Sequence, residues 1–273
     1  MKGRDLPENL YAFEIERACI ASGSKGIPMT KTRVAQSFLA VRYLVILMCT
    51  TLLGATLLAY AAQKKGPAGS VISADKGRFN ILVDGKLLGR EEFEIVPGGS
   101  GWVAKGTTHL TVEGSPATTV TGTLALQPDG APISYDWTSQ SDKTNGAHVA
   151  FENGVAKMTL QIAGATRPFE QDLSFDSRMV VVLDNNLYHQ YDVLSQIYDW
   201  SHRGEQSFSV LIPQQLTPGT IHVVSTGTAT ADGKNYEGLT VKTNDIELLL
   251  YLDNNHHLMR LEVPASKAAV IRE

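Results

Sequence analysis

The stretch FNILVDGKLLGREEFEIV, residues 79–96, indicates how most of this chain folds. Asp84-Gly85 at its centre is a strong signal for a tight turn between two antiparallel strands. In the second half, residues 92–95 alternate glutamate with apolar side chains. Because successive side chains of a strand point to opposite faces, this alternation predicts one buried face and one solvent-facing face. The stretch is therefore predicted to be a β-hairpin that covers a core.

The same pattern recurs further along the chain. The segments WVAKGTTHLTVE, from Trp102, and ISYDWTSQ, from Ile133, alternate in the same way, and Asn145-Gly146 and Asn153-Gly154 are further turn signals. Roughly a dozen strands joined by short turns are typical of an antiparallel β-barrel or a strongly curved sheet. Helical patterns do not separate the strands, so a βαβ architecture is disfavoured. We expect one mainly β domain over residues 77–273.

One segment, LYHQYDVLSQIYDW at residues 187–200, predicts an α-helix instead. Apolar residues recur there on one helical face, at Leu187, Tyr191, Leu194 and Tyr198. Asp184 or Asn185 is positioned to cap its start, and Gly204 lies just beyond its end. A lone amphipathic helix must bury its apolar stripe, so we expect it to pack against the concave side of the sheet. His189 lies on a flank of the stripe, and if it is exposed its replacement should cost little stability.

An uncharged segment of 21 residues, 43–63, precedes the β-rich region and is flanked by basic residues. Together with the small-x-small sequence Ala59-Tyr60-Ala61, it predicts a secretory signal peptide over residues 29–61 that is cleaved before Ala62. The alternative is an uncleaved membrane anchor, because a helix of that length extends about 31 Å. In both cases the remainder is expected to be exported. It would be periplasmic or secreted, or anchored in the cytoplasmic membrane through residues 43–63.

Residues 1–28 fit neither alternative, since a signal peptide begins with a short basic region. Met29 opens such a region, so translation is expected to start there. Residues 1–28 would then be a non-native extension. If translation starts at Met1 instead, they are expected to be a disordered extension. Residues 62–76 are small and polar and are predicted to form a linker.

The positions of the cysteines and the net charge exclude some ways of stabilising the domain and some classes of binding partner. Cys19 and Cys49 both precede Ala62, so a cleaved product would contain no disulfide and would depend on its own core. Residues 1–61 hold 7 Lys/Arg and 4 Asp/Glu, which leaves 17 and 24 in the remainder, a net charge of −7. This acidity argues against binding to nucleic acid or to an anionic membrane surface.

The predicted helix and the segments after it resemble a family of uncharacterised exported bacterial domains. In that family an Asp-x-x-Ser-x-x-Tyr helix precedes a Pro-Gly strand entry and a final hairpin. Here Asp192, Ser195 and Tyr198 match the helix, and Pro218-Gly219 matches the strand entry. The first hairpin is also similar, so the resemblance covers most of residues 79–264. It implies a β-barrel-like fold and export, and it implies no activity.

A histidine, an aspartate and a serine on the predicted helix raise the question of a hydrolase. A nucleophilic serine needs a base within hydrogen-bond reach, itself oriented by a carboxylate. His189 and Ser195 are separated by about 9 Å along a helix axis, and the sequence has no Gly-x-Ser-x-Gly elbow. We therefore expect Asp192 and Ser195 to bond to backbone or strand groups where the helix docks. No catalytic residue is predicted.

Metal and cofactor binding are not predicted either. His256 and His257 are adjacent, and adjacent side chains on a strand point to opposite faces, which makes a poor chelate. The segment from Asp253 onward is typical of a hairpin turn. The remaining histidines lack metal-ligand spacing. The sequence also has no P-loop, dinucleotide fingerprint or Cys-x-x-Cys motif.

The interior of the sheet is the remaining candidate site. A barrel or curved sheet of this size can enclose a ligand cavity. Its expected lining is Phe79, Trp102, Tyr135, Trp137, Tyr191, Leu194 and Tyr198. The alternative for each of these residues is packing in a dry core. The leading hypothesis is a non-enzymatic exported domain that binds a hydrophobic or amphipathic molecule such as a lipid. The alternative is a structural or assembly factor of the cell envelope with an envelope protein as partner, and a hydrolase is the least favoured.

Overall fold

A computed structural model describes residues 66–243 and 245–273 of the chain, and strands dominate it. These residues form 15 strands and one α-helix, α1 (His189–Ile197). Nowhere in these two ranges is there a helix both long and apolar enough to span a membrane. The predicted extension, the start at Met29, the signal peptide or anchor and both cysteines lie outside the described residues.

The strands are numbered in chain order and belong to one sheet. Before the helix come β1 (Asp75–Val83), β2 (Lys86–Gly98), β3 (Gly101–Leu110), β4 (Thr118–Leu126), β5 (Pro132–Gln140), β6 (Thr144–Glu152), β7 (Val155–Gln161), β8 (Phe169–Ser174) and β9 (Val180–Val182). After it come β10 (Gln206–Ile212), β11 (Thr217–Ala231), β12 (Lys234–Lys242), β13 (Glu247–Leu252), β14 (Leu258–Val263) and β15 (Ala268–Arg272). Short 3-10 helices, Pro213–Gln215 and Pro264–Ser266, precede β11 and β15.

Two meanders build the sheet and meet at the first and last strands. Strands β1 to β8 follow one another as neighbours on one side, and strands β15 back to β9 do so on the other. The two halves join where β1 pairs with β15, which places Phe79 opposite Arg272. Strands β9 and β10 pair in parallel, whereas the other described pairs are antiparallel.

The mainly β fold is confirmed, but the sheet does not close into the barrel that was one of its two predicted forms. Its edges are β8 and β9, although these strands are consecutive in the chain. All three residues of β9, Val180–Val182, are buried, and the strand packs against β5 instead of pairing with β8. Because β9 packs in the core, it does not pair with the outer side of β8, and the sheet stays open between these two strands.

The hairpin at residues 79–96 forms as predicted. The φ angles of Asp84 and Gly85 are 48° and 75°. Positive φ at both central residues is the requirement of a type I′ turn, whose twist matches that of the strands. On β2, the glutamates among residues 92–95 are exposed and the apolar residues are buried. The alternation therefore assigned both faces of this strand correctly.

Helix α1 is shorter than predicted and is capped by a different residue. Tyr188 occupies the N-cap position without a side-chain cap. Glu91 of β2 instead accepts hydrogen bonds from the backbone N–H groups of Tyr188, at 2.8 Å, and His189, at 3.3 Å. Neither Asp184 nor Asn185 caps the helix, because its N-cap position is Tyr188, three residues or more beyond them.

The helix is buried on both faces, so it is not the amphipathic helix that the apolar stripe predicted. Leu187, Leu194 and Tyr198 of the stripe are buried, and Tyr191 is half-buried. Polar residues are buried as well, and the full buried set is His189, Gln190, Asp192, Val193, Leu194, Ser195 and Gln196. The small stability cost considered for replacing His189 depended on its being exposed, and this condition is not met, because its ring is bonded to the buried Glu91.

Residues 66–74, which were expected to belong to a linker, pack on the sheet. Ile72 is buried in the core, and Ser70 Oγ accepts a hydrogen bond from Nε1 of Trp102 at 2.6 Å. Strand β1 then begins at Asp75, two residues before the predicted domain boundary. Ser70 thus bonds to β3 and Ser73 bonds to Gln196 of the helix, which composition alone does not indicate.

Candidate functional site around the central helix

Helix α1 lies across the middle of the sheet. It contacts β3 and β14, which are the outer members of the five adjacent strands β3, β2, β1, β15 and β14. Buried polar side chains concentrate around it: Glu91, Thr108, His189, Gln190, Asp192, Ser195 and Gln196. A buried polar group costs free energy unless it is bonded, so the partners of these groups define the site.

The first group, called here the Glu91 pair, joins Glu91 of β2 to His189 in the first turn of the helix. Oε1 of Glu91 lies 2.5 Å from Nδ1 of His189, and both side chains are 0% exposed. The same carboxylate caps the helix, where the macrodipole favours a negative charge. Nε2 of His189 has no hydrogen-bond partner among the described residues. The imidazole is stacked with the ring of Phe93, with the centroids 6.4 Å apart.

Gly106 of β3 provides the space for this pair. A Cβ atom at this position would overlap both Nδ1 of His189 and Oε1 of Glu91. Gly106 is the cross-strand partner of Phe93, so it lies directly beside the strand that carries the carboxylate. The missing side chain lets the helix approach β3 closely, and alanine at this position would displace the pair.

Asp192 and Ser195 hold the turn between β13 and β14, residues 253–257. Oγ of Ser195 donates to the carbonyl of His256 at 2.7 Å and lies 2.8 Å from the carbonyl of Asp192. Oδ1 of Asp192 accepts the N–H of Leu258 at the start of β14. The structure therefore places both polar residues of the predicted motif against backbone groups of one hairpin.

Tyr198 and Trp200 secure the other end of the helix. The hydroxyl of Tyr198 donates to the carbonyl of Gly204 at 2.7 Å and accepts the N–H groups of Gly204 and Ser225. The ring of Trp200 stacks on that of His256 with centroids 3.9 Å apart. Gly204, which was expected just beyond the end of the helix, is thus bonded by the side chain of the C-cap residue, Tyr198.

The second group, called here the His257 cluster, consists of Asp75 of β1, Asp192 of α1, His257 of the turn and Arg272 of β15. Arg272 forms a bidentate pair with Asp75 at 2.6 and 2.8 Å. Nδ1 of His257 is 3.5 Å from Oδ2 of Asp75 and 3.6 Å from Oδ2 of Asp192. Both distances exceed a normal hydrogen bond, and Nδ1 is buried without a hydrogen-bond partner in the described part of the chain.

Charge and exposure distinguish this cluster. The carboxylate of Asp192 raises the pKa of His257 against the effect of burial, and Asp75 acts in the same direction. Burial raises the pKa of Asp192 itself. Asp192 is fully buried, but the side chains of Asp75, His257 and Arg272 are 11%, 13% and 14% exposed. The cluster therefore reaches solvent.

Asp184 is the centre of a third buried network. Its carboxylate accepts the hydroxyl of Tyr135 at 2.9 Å and the N–H of Gln214 at 3.1 Å. Burial raises the pKa of Asp184 to about 6. Burial also raises the pKa of Tyr135 well above its usual range, with the Asp184 charge adding to the effect. Proton exchange at this carboxyl is thus expected close to neutral pH.

The residues expected to line a ligand cavity lie in the core. Six of them belong to one contiguous cluster of buried side chains, against which the half-buried Tyr191 packs; the six are Phe79, Trp102, Tyr135, Trp137, Leu194 and Tyr198. A pocket of about 140 Å³ lies elsewhere and is bounded by Pro132, Phe151, Arg178 and Val180 among others. Pockets for small molecules commonly have about 300–1,000 Å³.

The polar residues of the helix are not arranged as a catalytic triad. The Ser195 hydroxyl bonds to carbonyl oxygens, and Nδ1 of His189 is occupied by Glu91. Within the part of the chain that the structure describes, the Ser195 hydroxyl bonds to no side-chain base. The potential metal ligands are in the other group, where Asp75, Asp192 and His257 each offer one atom and these atoms lie within 4.8 Å of one another.

Sequence reasoning missed Glu91, Asp75 and Arg272 as members of the site. Part of the signal was in the alternation, because Glu91 shares the face of Phe93 and Asp75 shares the face of Phe79. A charged residue at a core-facing position must find a partner. The partners themselves lie 98 and 197 positions away in the chain, which no local pattern indicates.

Comparisons with known proteins give similarity to structures alone. No family model matches the chain, and no curated protein matches it. One similar solved structure is the β-barrel-like protein of domain of unknown function DUF1849 from Brucella abortus, 11% identical, with a TM-score of 0.48 over 74% of this chain and 95% of that one. Another is a DUF1089 family protein from Pseudomonas aeruginosa, 11% identical, with a TM-score of 0.40 over 57% of this chain and 82% of that one. The Asp-x-x-Ser-x-x-Tyr family motif stays a prediction.

Proposed function

We propose that this protein is a non-enzymatic structural or assembly factor of the cell envelope that binds an extended segment of a partner protein along strand β8. Export is inferred from the uncharged segment at residues 43–63 and its flanking charges. The observation that carries the proposal is the difference between the two edges of the sheet.

One edge is covered and the other is open. Strand β9 is buried and packs against β5. Strand β8 pairs only with β7 among the described strands, and four of its six residues are exposed. Backbone N–H and C=O groups on the outer side of such a strand are free to pair with a further strand.

The apolar face of the sheet continues to this open edge. Leu160 of β7 is buried, and its cross-strand partner on β8, Phe169, is 46% exposed. Ile162, in the turn between these strands, is also exposed. A strand added to β8 would cover these side chains while its backbone pairs with the edge.

Charge indicates the chemistry of the partner. Glu170 and Asp172 lie on the opposite face of β8 and are both exposed. A second copy of β8 paired antiparallel to the first would place acidic residues opposite acidic residues, which is unfavourable. Lys157 is the cross-strand partner of Asp172 on β7. We therefore expect the bound segment to alternate basic and apolar residues.

A synthetic peptide of three Val-Lys repeats, acetylated and amidated, tests the proposal on the purified full-length protein. Binding should be measurable by fluorescence anisotropy and should slow amide hydrogen exchange in β8 while leaving β9 unchanged. The double variant Glu170→Lys, Asp172→Lys should lose this binding. The matched control is Glu92→Lys, Glu94→Lys, on the solvent face of β2, which has strands on both sides.

Two results would contradict the proposal. Either the peptide does not bind, or the control pair lowers its affinity as much as the β8 pair does. A lipid that co-purifies and is seen by native mass spectrometry, with no effect of the β8 variants on it, would instead favour ligand binding in the sheet.

A further inference from the structure

We propose that Asp75, Asp192 and His257 form a binding site for Zn²⁺, or for a divalent transition-metal ion of similar preference, with its fourth ligand position open to water. The site lies between β1, the middle of α1 and the turn at residues 253–257. It is independent of the proposed binding along β8.

Two of the three separations between the donor atoms are close to those of ligands that share an ion, and all three atoms lie within 4.8 Å of one another. Nδ1 of His257 is 3.5 Å from Oδ2 of Asp75 and 3.6 Å from Oδ2 of Asp192. Zinc takes nitrogen and oxygen ligands at about 2.0–2.2 Å in a tetrahedron, which places two ligands roughly 3.4 Å apart. A hydrogen bond would instead need about 2.7–3.2 Å. The observed spacing is closer to that of two ligands than to that of a donor and an acceptor.

The surroundings of His257 leave its Nδ1 atom available. Nε2 of the ring is 3.4 Å from Oγ of Ser73, and that hydroxyl donates to Oε1 of Gln196 at 2.9 Å. A hydroxyl has a single proton, so Ser73 can only accept from the ring, which places the ring proton on Nε2. Two carboxylates beside Nδ1 favour a positive charge there, which is supplied either by a proton on Nδ1 or by a metal ion in its place.

Both carboxylates are oriented by other residues, as is common for metal ligands. Arg272 holds Asp75 through two hydrogen bonds. Asp192 accepts from Nε2 of Gln196 at 2.9 Å and from the N–H of Leu258. The two carboxylates and one guanidinium leave a net charge of −1 to attract the ion, so Arg272 keeps the affinity below that of a site with two free carboxylates.

The donor set and the access favour zinc. Calcium and magnesium prefer oxygen ligands only, whereas imidazole nitrogen suits zinc and its neighbours. Three protein ligands with an open fourth position are a common zinc arrangement. The partial exposure of Asp75 and His257 gives the ion and a water molecule a path into the site.

The test is zinc titration of the purified full-length protein after dialysis against a chelator. We expect one saturable equivalent of zinc by isothermal titration calorimetry, a higher melting temperature with zinc, and no effect of magnesium. His257→Gln should weaken zinc binding at least about tenfold and abolish the rise in melting temperature. The control is His202→Gln, which removes an exposed histidine that also lies beside a carboxylate, Asp199, at 2.8 Å. It should change neither the zinc affinity nor the rise in melting temperature with zinc.

The outcomes separate a specific site from adventitious binding. The two cysteines and the other six histidines are the same in His257→Gln, so their contribution cancels in the comparison. Equal zinc binding by wild type and His257→Gln would overturn the proposal, as would the absence of heat and of any melting shift with excess zinc. If His257→Gln does not fold, histidine ¹⁵N chemical shifts of the wild type decide: zinc must shift one Nδ1, and unchanged shifts would overturn the site.

Discussion

The Glu91 pair and the His257 cluster use the same residue types in opposite ways. Each sets a histidine beside a carboxylate, and each has one ring nitrogen without a hydrogen-bond partner among the described residues, Nε2 of His189 and Nδ1 of His257. In the Glu91 pair the ring nitrogen and the carboxylate are 2.5 Å apart and fully buried. In the cluster the ring nitrogen stands at 3.5 and 3.6 Å from two carboxylates, near solvent.

Distance and access decide what such a group can do. An ion does not fit between atoms at hydrogen-bond distance, so the Glu91 pair can only cap the helix and fix it on β2. The wider spacing at the cluster leaves room for an ion, and its partial exposure gives a path to it. The closed pair therefore has a structural role, whereas the open cluster has the spacing and access that the proposed ion binding needs.

Removal of Glu91 should have the largest effect on stability. Glu91→Ala leaves Nδ1 of His189 and the first N–H groups of the helix without their acceptor in a buried site. Breaking a buried pair in this way typically costs about 3–5 kcal/mol. The free energy of unfolding in urea measures it. Glu92→Ala is the control, since its side chain points to solvent and should change stability by less than about 0.5 kcal/mol; equal losses for both would mean that the pair does not hold the helix.

Leu194→Ala tests the apolar contribution of the same helix. Leu194 is fully buried, and truncation of a buried leucine costs about 2–5 kcal/mol through lost burial and the cavity that is left. Chemical denaturation again measures the loss. A loss below 1 kcal/mol would show that the helix is loosely docked, and the polar groups beneath it would then not be held as described.

The sequence predicted the strands better than it predicted the site. Alternation is a local signal, and it assigned residues 92–95 of β2 to the correct faces. Strand order is not local, because β1 pairs with β15 from the far end of the chain. Glu91 and Asp75 lie on core-facing positions. Their bonds to His189 and Arg272 offset the free-energy cost of burying a carboxylate, and these two partners come from distant segments of the chain. The helix stripe predicted packing, and Asp192 and Ser195 were expected to bond where the helix docks, but no pattern indicated that His189 is buried as well.

The buried carboxyl of Asp184, which belongs to neither the Glu91 pair nor the His257 cluster, should make the stability of the protein depend on pH. Its pKa is raised from 3.8 to about 6 in the folded protein, so between these values the folded state holds a proton that the unfolded state has lost. The contribution of this group to stability therefore falls as pH rises from 4 to 6 and is constant above 7. A shift of roughly two units corresponds to about 3 kcal/mol at most. The stability of wild type relative to Asp184→Asn should decline over this range in urea unfolding, and a constant difference from pH 4 to 7 would contradict the raised pKa.

Ser195→Ala should have the smallest effect and the most local one. The hydroxyl joins the helix to the carbonyl of His256, and loss of one such bond costs about 0.5–1.5 kcal/mol. Because this bond holds the turn that carries His257, amide exchange should quicken at residues 253–258 and stay unchanged at Tyr188, which Glu91 binds. Hydrogen exchange with mass spectrometry measures both places in one experiment, and Ser201→Ala, at an exposed serine, is the control. Equal acceleration at the turn and at Tyr188 would mean that the helix moves as a unit, so that the two groups are not independent.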